Sequence, residues 1–268
     1  MTRRVVSADG TPIAVHTYGD GPPLVMVHGA MADHTTMARV VPLLEPHLTV
    51  HAVDRRGRGA SGDGPGYTIE REYADVAAVV QAIAEEAGEP VTLYGHSYGA
   101  RCALGAALHT SAVARLCLYE PAFRGAVGYG TPVLDRLDAL VTSGRSEDAV
   151  ELAFREVVGV GEADLAALRA LPSWPARVAA AATIPRELRI GAVVPFDPRP
   201  YRDLGTPTLV LVGESSNAGQ REVCAAVVAA LPDARSVTLA GQEHMAQMTA
   251  PDLVARELLA WTAPQAAR

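Results

Sequence analysis

The sequence predicts an α/β protein in which helices cover both faces of a mostly parallel sheet and a helical lid is inserted between two strands. Two observations carry this prediction. Short apolar runs alternate with longer segments whose apolar residues recur at helical spacing, and this alternation stops in one long internal stretch without strand patterns. Strands that alternate with helices are typical of a parallel sheet covered on both sides.

The predicted elements follow one another along the chain. In the first half, the strand patterns are "TPIAVHTYG", "PPLVMVHG", "LTVHAVD", "VTLYG" and "ARLCLYE". The segment "IEREYADVAAVVQAIAEEAG" has acids in its first turn and ends at Gly88, which is typical of a helix, and "ARCALGAALH" is the next one. In the last quarter, the strands "TPTLVLVGE" and "RSVTLAG" alternate with the helices "QREVCAAVVAALPD" and "APDLVARELLAWT".

The stretch between these two parts has helical patterns joined at prolines and glycines, and no convincing strand. We therefore predict a single domain with an insertion. Residues 1–121 and 204–268 form the core, and residues 122–203 form a helical lid over the carboxyl edge of the sheet. Open α/β sheets bind their ligands at that edge.

Composition excludes several classes of function. The net charge is −7 and the pI is about 5.6, which argues against nucleic-acid and anionic-membrane partners. All basic residues are arginines, so Schiff-base chemistry is excluded. Three widely spaced cysteines indicate reduced thiols, and no run of 18 residues lacks a charge. We expect a cytoplasmic protein that binds a small molecule without a metal or cofactor; a homodimer stays open.

The segment "VTLYGHSYGARCALG" places Ser97 between two glycines where a strand pattern gives way to a helix pattern. This is the pattern of a nucleophile elbow, in which a strained turn lifts the serine hydroxyl clear of the sheet. The N–H of Tyr98 and the positive end of the following helix then favour an oxyanion. We predict that Ser97 is a nucleophile and that Tyr98 is one oxyanion donor.

A serine nucleophile needs a base, and in this type of fold the base follows the serine along the chain. Only His109 and His244 come after Ser97. His109 ends a predicted helix, whereas His244 lies in a loop between the last strand and the last helix, so we predict His244 as the base. The second oxyanion donor is expected after "PPLVMVHG", at the N–H of Ala30.

These segments, with "VDRRGRGASGDGPGYTIEREYADV" and "AGQEHMAQMTAPDLV", resemble the α/β-hydrolase superfamily from about Val5 to the last helix. The resemblance implies an eight-stranded sheet, with Ser97 as nucleophile, His244 as base, and Ala30 and Tyr98 as oxyanion donors. Asp54 and the arginines after it match a family motif that we interpret as shaping a loop.

The acid of the triad departs from the family pattern. The family's usual aspartate falls at about Ser216, which carries no charge. Glu120, at the end of "ARLCLYE", and Glu214 are the two candidates to replace it. The strand that ends at Glu120 is one strand closer to Ser97. Because neighbouring strands are only ~4.8 Å apart, its carboxylate could still reach the imidazole, as in certain similar haloalkane dehalogenases. We predict Glu120, with Glu214 as the alternative.

Serine, histidine and two backbone donors suit acyl transfer. We therefore predict a hydrolase of a small, mostly apolar ester, lactone or thioester. Aromatic residues make up 5% of the chain, so we expect an aliphatic pocket with methionines such as Met31 and Met245. Two alternatives stay open: the same fold performing carbon–carbon hydrolysis or cofactor-free lyase or isomerase chemistry, and a non-catalytic ligand-binding member.

Overall fold

Eight strands form one sheet in the computed structural model, which describes residues 1–125 and 130–263. Their order across the sheet is β1-β2-β4-β3-β5-β6-β7-β8. β2 runs antiparallel to β1 and β4, and the other neighbours are parallel. The strands are β1 (Thr2–Val6), β2 (Pro12–Tyr18), β3 (Pro23–Val27), β4 (Thr49–Val53), β5 (Val91–His96), β6 (Val113–Tyr119), β7 (Thr208–Gly213) and β8 (Ala234–Leu239).

The burial of each strand follows from its place in the sheet. Every residue of β3, β5 and β7 is buried, because helices cover both faces of these parallel strands. β1 alternates between exposed and half-buried residues, as an edge strand does. The sequence analysis missed β1, since its period-two pattern is short and contains two arginines. The predicted mostly parallel sheet of eight strands is confirmed.

Helices account for most of the remaining described chain. They are α1 (Val41–Leu44), α2 (Ile69–Ala87), α3 (Tyr98–Ala106), α4 (Thr131–Thr142), α5 (Ser146–Ala153), α6 (Glu162–Arg169), α7 (Trp174–Ala179), α8 (Ile184–Val193), α9 (Ala218–Ala230), α10 (Ala246–Thr249) and α11 (Pro251–Thr262). A π-helical turn, Phe154–Val158, continues α5, and short 3₁₀ turns cover His34–Met37, Ala181–Thr183 and Arg199–Tyr201. None of the helices within 1–125 and 130–263 is long and apolar enough to cross a membrane.

Helix α2 shows how the local sequence sets its own limits. The hydroxyl of Thr68 accepts a hydrogen bond from the N–H of Arg71 at 3.3 Å and so caps the first turn. Acidic side chains in that turn stabilise the helix, because they lie near the positive end of its dipole. At the other end, Gly88 has a φ of 72°, a left-handed conformation that glycine adopts without strain.

Three groups of buried apolar residues stabilise the molecule. Two lie on opposite faces of the sheet. The third belongs mainly to the helices between β6 and β7 and includes Leu134, Val150, Leu165, Trp174 and Ile184. We call helices α4–α8 the helical insertion. Its description as a lid spanning 122–203 stays a prediction, and residues 126–129 of that range, like 264–268 of the predicted core, lie outside the described residues.

Candidate active site

Ser97 occupies a turn that most residues avoid. It joins β5 to α3 with φ of 55° and ψ of −119°. Such a conformation persists only where the surrounding structure holds it. The N–H of Ser97 donates to the carbonyl of Tyr119 at 2.8 Å, and the carbonyl of Ser97 accepts from the N–H of Ala122 at 3.2 Å. The backbone therefore has the sharp strand-to-helix turn that the sequence predicts.

The two flanking glycines are required by the close approach of the backbone. A Cβ atom at Gly95 would lie 2.4 Å from the carbonyl oxygen of Gly99. A Cβ atom at Gly99 would lie 2.4 Å from the carbonyl oxygen of His28. Both contacts are with backbone atoms, which cannot move aside, so any larger residue would displace the helix from the sheet. This explains the G-x-S-x-G spacing.

Glu120 and His244 form a hydrogen-bonded pair. Nδ1 of His244 lies 2.7 Å from Oε2 of Glu120. Because an ionised carboxylate only accepts, Nδ1–H is the donor, which leaves Nε2 of the neutral ring with a lone pair. The carboxylate is fully buried, while 31% of the His244 side chain is exposed. The pair lines the same cavity as Ser97.

The carboxylate of Glu120 is held from both sides. Its second oxygen, Oε1, accepts from the N–H of Gly213 at 2.7 Å and from the hydroxyl of Ser216 at 2.5 Å. Burial raises the pKa of this carboxyl, but the bond to His244 and its charge, with the Ser216 and Gly213 donors, lower the pKa below its ordinary value. Glu120 also has a φ of 47°, so the turn that ends β6 is strained.

The alternative acid lies elsewhere. Glu214 is exposed, and its Oε2 accepts from the N–H of Gly241 at 2.7 Å. Ser216, where the family resemblance places an aspartate, donates to Glu120 instead. The structure therefore brings Glu120, and not Glu214, to the imidazole of His244.

The loop that carries His244 is anchored to β5 and β6. Nε2–H of His96 donates to the carbonyl of His244 at 2.8 Å, and Nδ1 of His96 lies 3.3 Å from Nε2 of Gln247. Burial, with the charge of His244, holds the pKa of His96 well below its ordinary value, so the ring is neutral. The hydroxyl of Tyr119 accepts from the N–H of Ala246 at 3.1 Å. His96 thus holds the loop that carries His244.

Ala30 and Tyr98 both line the cavity beside Ser97. Tyr98 is the first residue of α3, and the N–H groups of a first helical turn have no intrahelical acceptor. The Ala30 loop runs close to the elbow, since a Cβ atom on Gly29 would lie 3.1 Å from Cβ of Ser97. Within the described chain, the N–H of Ala30 donates to no backbone acceptor. Both N–H groups are therefore available to a ligand.

The cavity has a volume of about 350 Å³ and lies between the sheet edge and the helical insertion. Met31 and Met245 line it, as the sequence predicts. Phe123 and Phe154 line it as well. With Tyr98, three aromatic residues therefore line the cavity, and the expectation of an aliphatic pocket is wrong, because a low aromatic content does not prevent several aromatics from meeting at one site.

Buried ion pairs join the core to the helical insertion. Arg55 donates to Glu72 of α2 and to Glu187 of α8, each at 3.0 Å, and all three side chains are fully buried. Arg58 pairs with Glu187 at 2.5 Å. Arg55 also donates to the carbonyl of Gly29 at 3.1 Å, so the same guanidinium holds the loop before Ala30. These arginines follow Asp54 in the motif interpreted as loop-shaping.

One further cluster has the residue types of a metal site. His16, His34 and Asp54 bring ligand-type atoms within 4.8 Å of one another. However, Asp54 already accepts from Nε2 of His16 at 2.9 Å and from Nδ1 of His34 at 2.7 Å, and the two rings are stacked. The atoms that a metal would need are used by these hydrogen bonds.

Three cavity residues carry no signal that the sequence analysis detected. Thr36 comes from the turn after Ala30, and Arg177 and Glu187 come from α7 and α8. Arg177 and Glu187 reach the cavity because the insertion folds back over the sheet, and no motif marks that contact.

Comparison with known proteins agrees with this architecture. The model of the "Alpha/beta hydrolase family" matches residues 24–257. A crystal structure of an alpha/beta hydrolase from Sphaerobacter thermophilus is 36% identical, with a TM-score of 0.84 and coverage of 97% of this chain and 100% of that one. A thermophilic esterase from Thermogutta terrifontis, solved with malate bound, is 22% identical with a TM-score of 0.69, over 97% of each chain.

One curated relative extends over nearly the whole chain. It is the 2-(acetamidomethylene)succinate hydrolase of Mesorhizobium japonicum, 29% identical over 91% of this chain and 89% of the relative.

Proposed function

Because this chain belongs to the alpha/beta hydrolase family, and is therefore a hydrolase, we propose that it cleaves a small ester-type bond through an acyl-enzyme on Ser97. One observation carries the proposal: His244 is hydrogen-bonded to the buried Glu120 in the cavity that contains the strained Ser97 turn. A base held in one tautomer in the same cavity as a half-buried serine is an arrangement that fits acyl transfer.

The reaction has two halves. Nε2 of His244 takes the proton of the Ser97 hydroxyl as Oγ attacks the substrate carbonyl, and the N–H groups of Ala30 and Tyr98 stabilise the oxyanion. The histidine gives its proton to the leaving alcohol, and an acyl-serine forms. Water, activated by the same histidine, then releases the acid. Glu120 stabilises the imidazolium in both halves and holds its ring in place.

The type of bond that is hydrolysed is the more specific part of the proposal. The Mesorhizobium japonicum relative is named for hydrolysis of a substituted succinate and the Thermogutta terrifontis neighbour is named an esterase. A nucleophilic serine supports an acyl bond rather than an alkyl–enzyme ester. A panel of short p-nitrophenyl esters, lactones, thioesters and amides would determine which type of bond is cleaved fastest. We expect esters.

Labelling with a fluorophosphonate probe tests the nucleophile. We expect one adduct, on Ser97, with no adduct in Ser97→Ala and a labelling rate at least ~100-fold lower in His244→Ala. His109→Ala is the matched control, since His109 is exposed and is the other histidine that follows Ser97. Labelling that is unaffected by His244→Ala would contradict the proposal.

A further inference from the structure

Arg177 is a buried cation in the cavity wall. Its side chain is 5% exposed, and it is the arginine found among the described residues that line the cavity. A guanidinium keeps its charge under all ordinary conditions, so burying it without a negative partner is unfavourable. In the described part of the chain, no carboxylate forms an ion pair with it.

The other buried arginines show that this is unusual. Arg55 and Arg58 pair with Glu187, and Arg56 pairs with Asp75 at 2.6 Å. Arg101 lacks a carboxylate partner, but it lies outside the cavity lining, over the ring of Phe123. Arg177 therefore combines burial, the lack of an ion-pair partner among the described residues and a place in the cavity lining.

The guanidinium of Arg177 is only partly satisfied by the protein. One of its terminal nitrogens donates to the carbonyl of Met31, and its Nε has no hydrogen-bond partner. It lies 5.4 Å from the ring centroid of Phe154, a contact that leaves its donors free. Burial lowers the pKa of Arg177, an effect opposed by the charge of Asp33.

Thr36 offers a second unused donor in the same wall. Its side chain is 6% exposed, it lines the cavity, and its hydroxyl has no hydrogen-bond partner. The acids that line the cavity with them are accounted for: Glu120 is paired with His244 and Glu187 with two arginines, whereas Glu243 is exposed. A guanidinium with an unused Nε–H and no ion-pair partner among the described residues, beside a hydroxyl without a hydrogen-bond partner, fits an incoming carboxylate.

We propose that Arg177 and Thr36 bind a carboxylate group of the substrate, so that the enzyme hydrolyses short half-esters of dicarboxylic acids. This inference rests on the proposed function and names an anionic substrate in place of the mostly apolar one that the sequence predicts. The position is suitable because Arg177 donates to Met31, whose Cα lies ~3.8 Å from that of the oxyanion donor Ala30. Arg177, Thr36, Ala30 and Ser97 line one cavity, so a carboxylate held there shares that cavity with the carbonyl under attack.

Paired methyl esters test the site in a pH-stat. Monomethyl succinate and methyl butyrate have similar length and differ in the terminal charge. We expect wild type to favour monomethyl succinate, and Arg177→Gln, which removes the positive charge, to lower the ratio of the two kcat/KM values about 100-fold, mainly through KM. Thr36→Val should lower it about tenfold. Arg189→Gln, an exposed arginine of the insertion, should leave it unchanged.

Calorimetry separates this inference from the proposed function. In a Ser97→Ala background, we expect monomethyl succinate to bind and the added Arg177→Gln change to weaken its Kd at least tenfold. An unchanged Kd, or an unchanged substrate ratio in folded Arg177→Gln, would overturn the carboxylate site even with full esterase activity. If no ester is turned over, the proposed function fails, and the calorimetric comparison still decides whether Arg177 binds the carboxylate.

Discussion

Oε2 of Glu120 lies 2.7 Å from Nδ1 of His244, and Oε1 of the same carboxylate lies 2.5 Å from the hydroxyl of Ser216. The carboxylate that contacts His244 thus comes from the end of β6, which neighbours the strand that carries Ser97, and not from the end of β7. The serine at position 216 takes the place of an acid and becomes a hydrogen-bond donor to one. Substitutions at Glu120 and Ser216 therefore test the site directly.

The first prediction compares the two candidate acids. Glu120→Gln keeps the shape of the side chain but cannot stabilise an imidazolium, so we expect kcat on p-nitrophenyl butyrate to fall about 10³-fold. Glu214→Gln changes an exposed residue bonded to Gly241 and should retain wild-type kcat. Equal losses in the two variants would refute the assignment of Glu120.

The second prediction moves the acid along the sheet edge. Glu120→Ala removes the carboxylate, and adding Ser216→Asp supplies one from the neighbouring loop. We expect the double variant to recover kcat at least ~10-fold over Glu120→Ala, because a carboxylate need only reach Nδ1 of His244. Ser216→Asn in the same background has the same shape without the charge. Equal recovery with Asn would show that packing, and not charge, restores activity.

The third prediction concerns the ion pairs between the core and the insertion. Glu187→Gln leaves Arg55 and Arg58 buried with less negative charge, so we expect the free energy of unfolding to fall by about 3–5 kcal/mol in urea titrations. Glu156→Gln, whose partner Arg136 is exposed, is the matched control and should show no measurable change. A loss below about 1 kcal/mol for Glu187→Gln would mean that relaxation or water compensates the arginines.

The fourth prediction is a loss of stability in mild acid. Burial holds the pKa of His28 and His96 well below the ordinary value of 6.5 and lowers that of His51 to about 4. Below pH 6.5 the unfolded chain therefore binds more protons than the native one, and stability falls as the pH falls towards the native values. His34 acts in the opposite direction, because burial lowers its pKa but the hydrogen bond to Asp54 and its charge raise it above the ordinary value.

Urea unfolding between pH 7 and pH 5 measures this effect. We expect each buried neutral histidine to remove up to about 2 kcal/mol over that interval. In His51→Gln, the free energy of unfolding should depend less steeply on pH. An identical slope in wild type and variant would exclude His51 as one of the titrating groups.

The sequence by itself determined the sheet, its alternation with helices, the turn at Ser97 and the family. These features are local: the periods of strands and helices are set by neighbouring residues, and Gly95 of "GHSYG" avoids a backbone clash with Gly99, two residues after the serine. The edge strand β1 was missed because one exposed face and two arginines leave a weak pattern.

Only the tertiary structure decided between Glu120 and Glu214, because that choice depends on which carboxylate reaches a histidine from a distant part of the chain. The same holds for Arg177, because only the tertiary structure shows that no carboxylate of the described residues forms an ion pair with it. Contacts between elements far apart in sequence are set by how whole layers pack, and a single sequence does not record those distances.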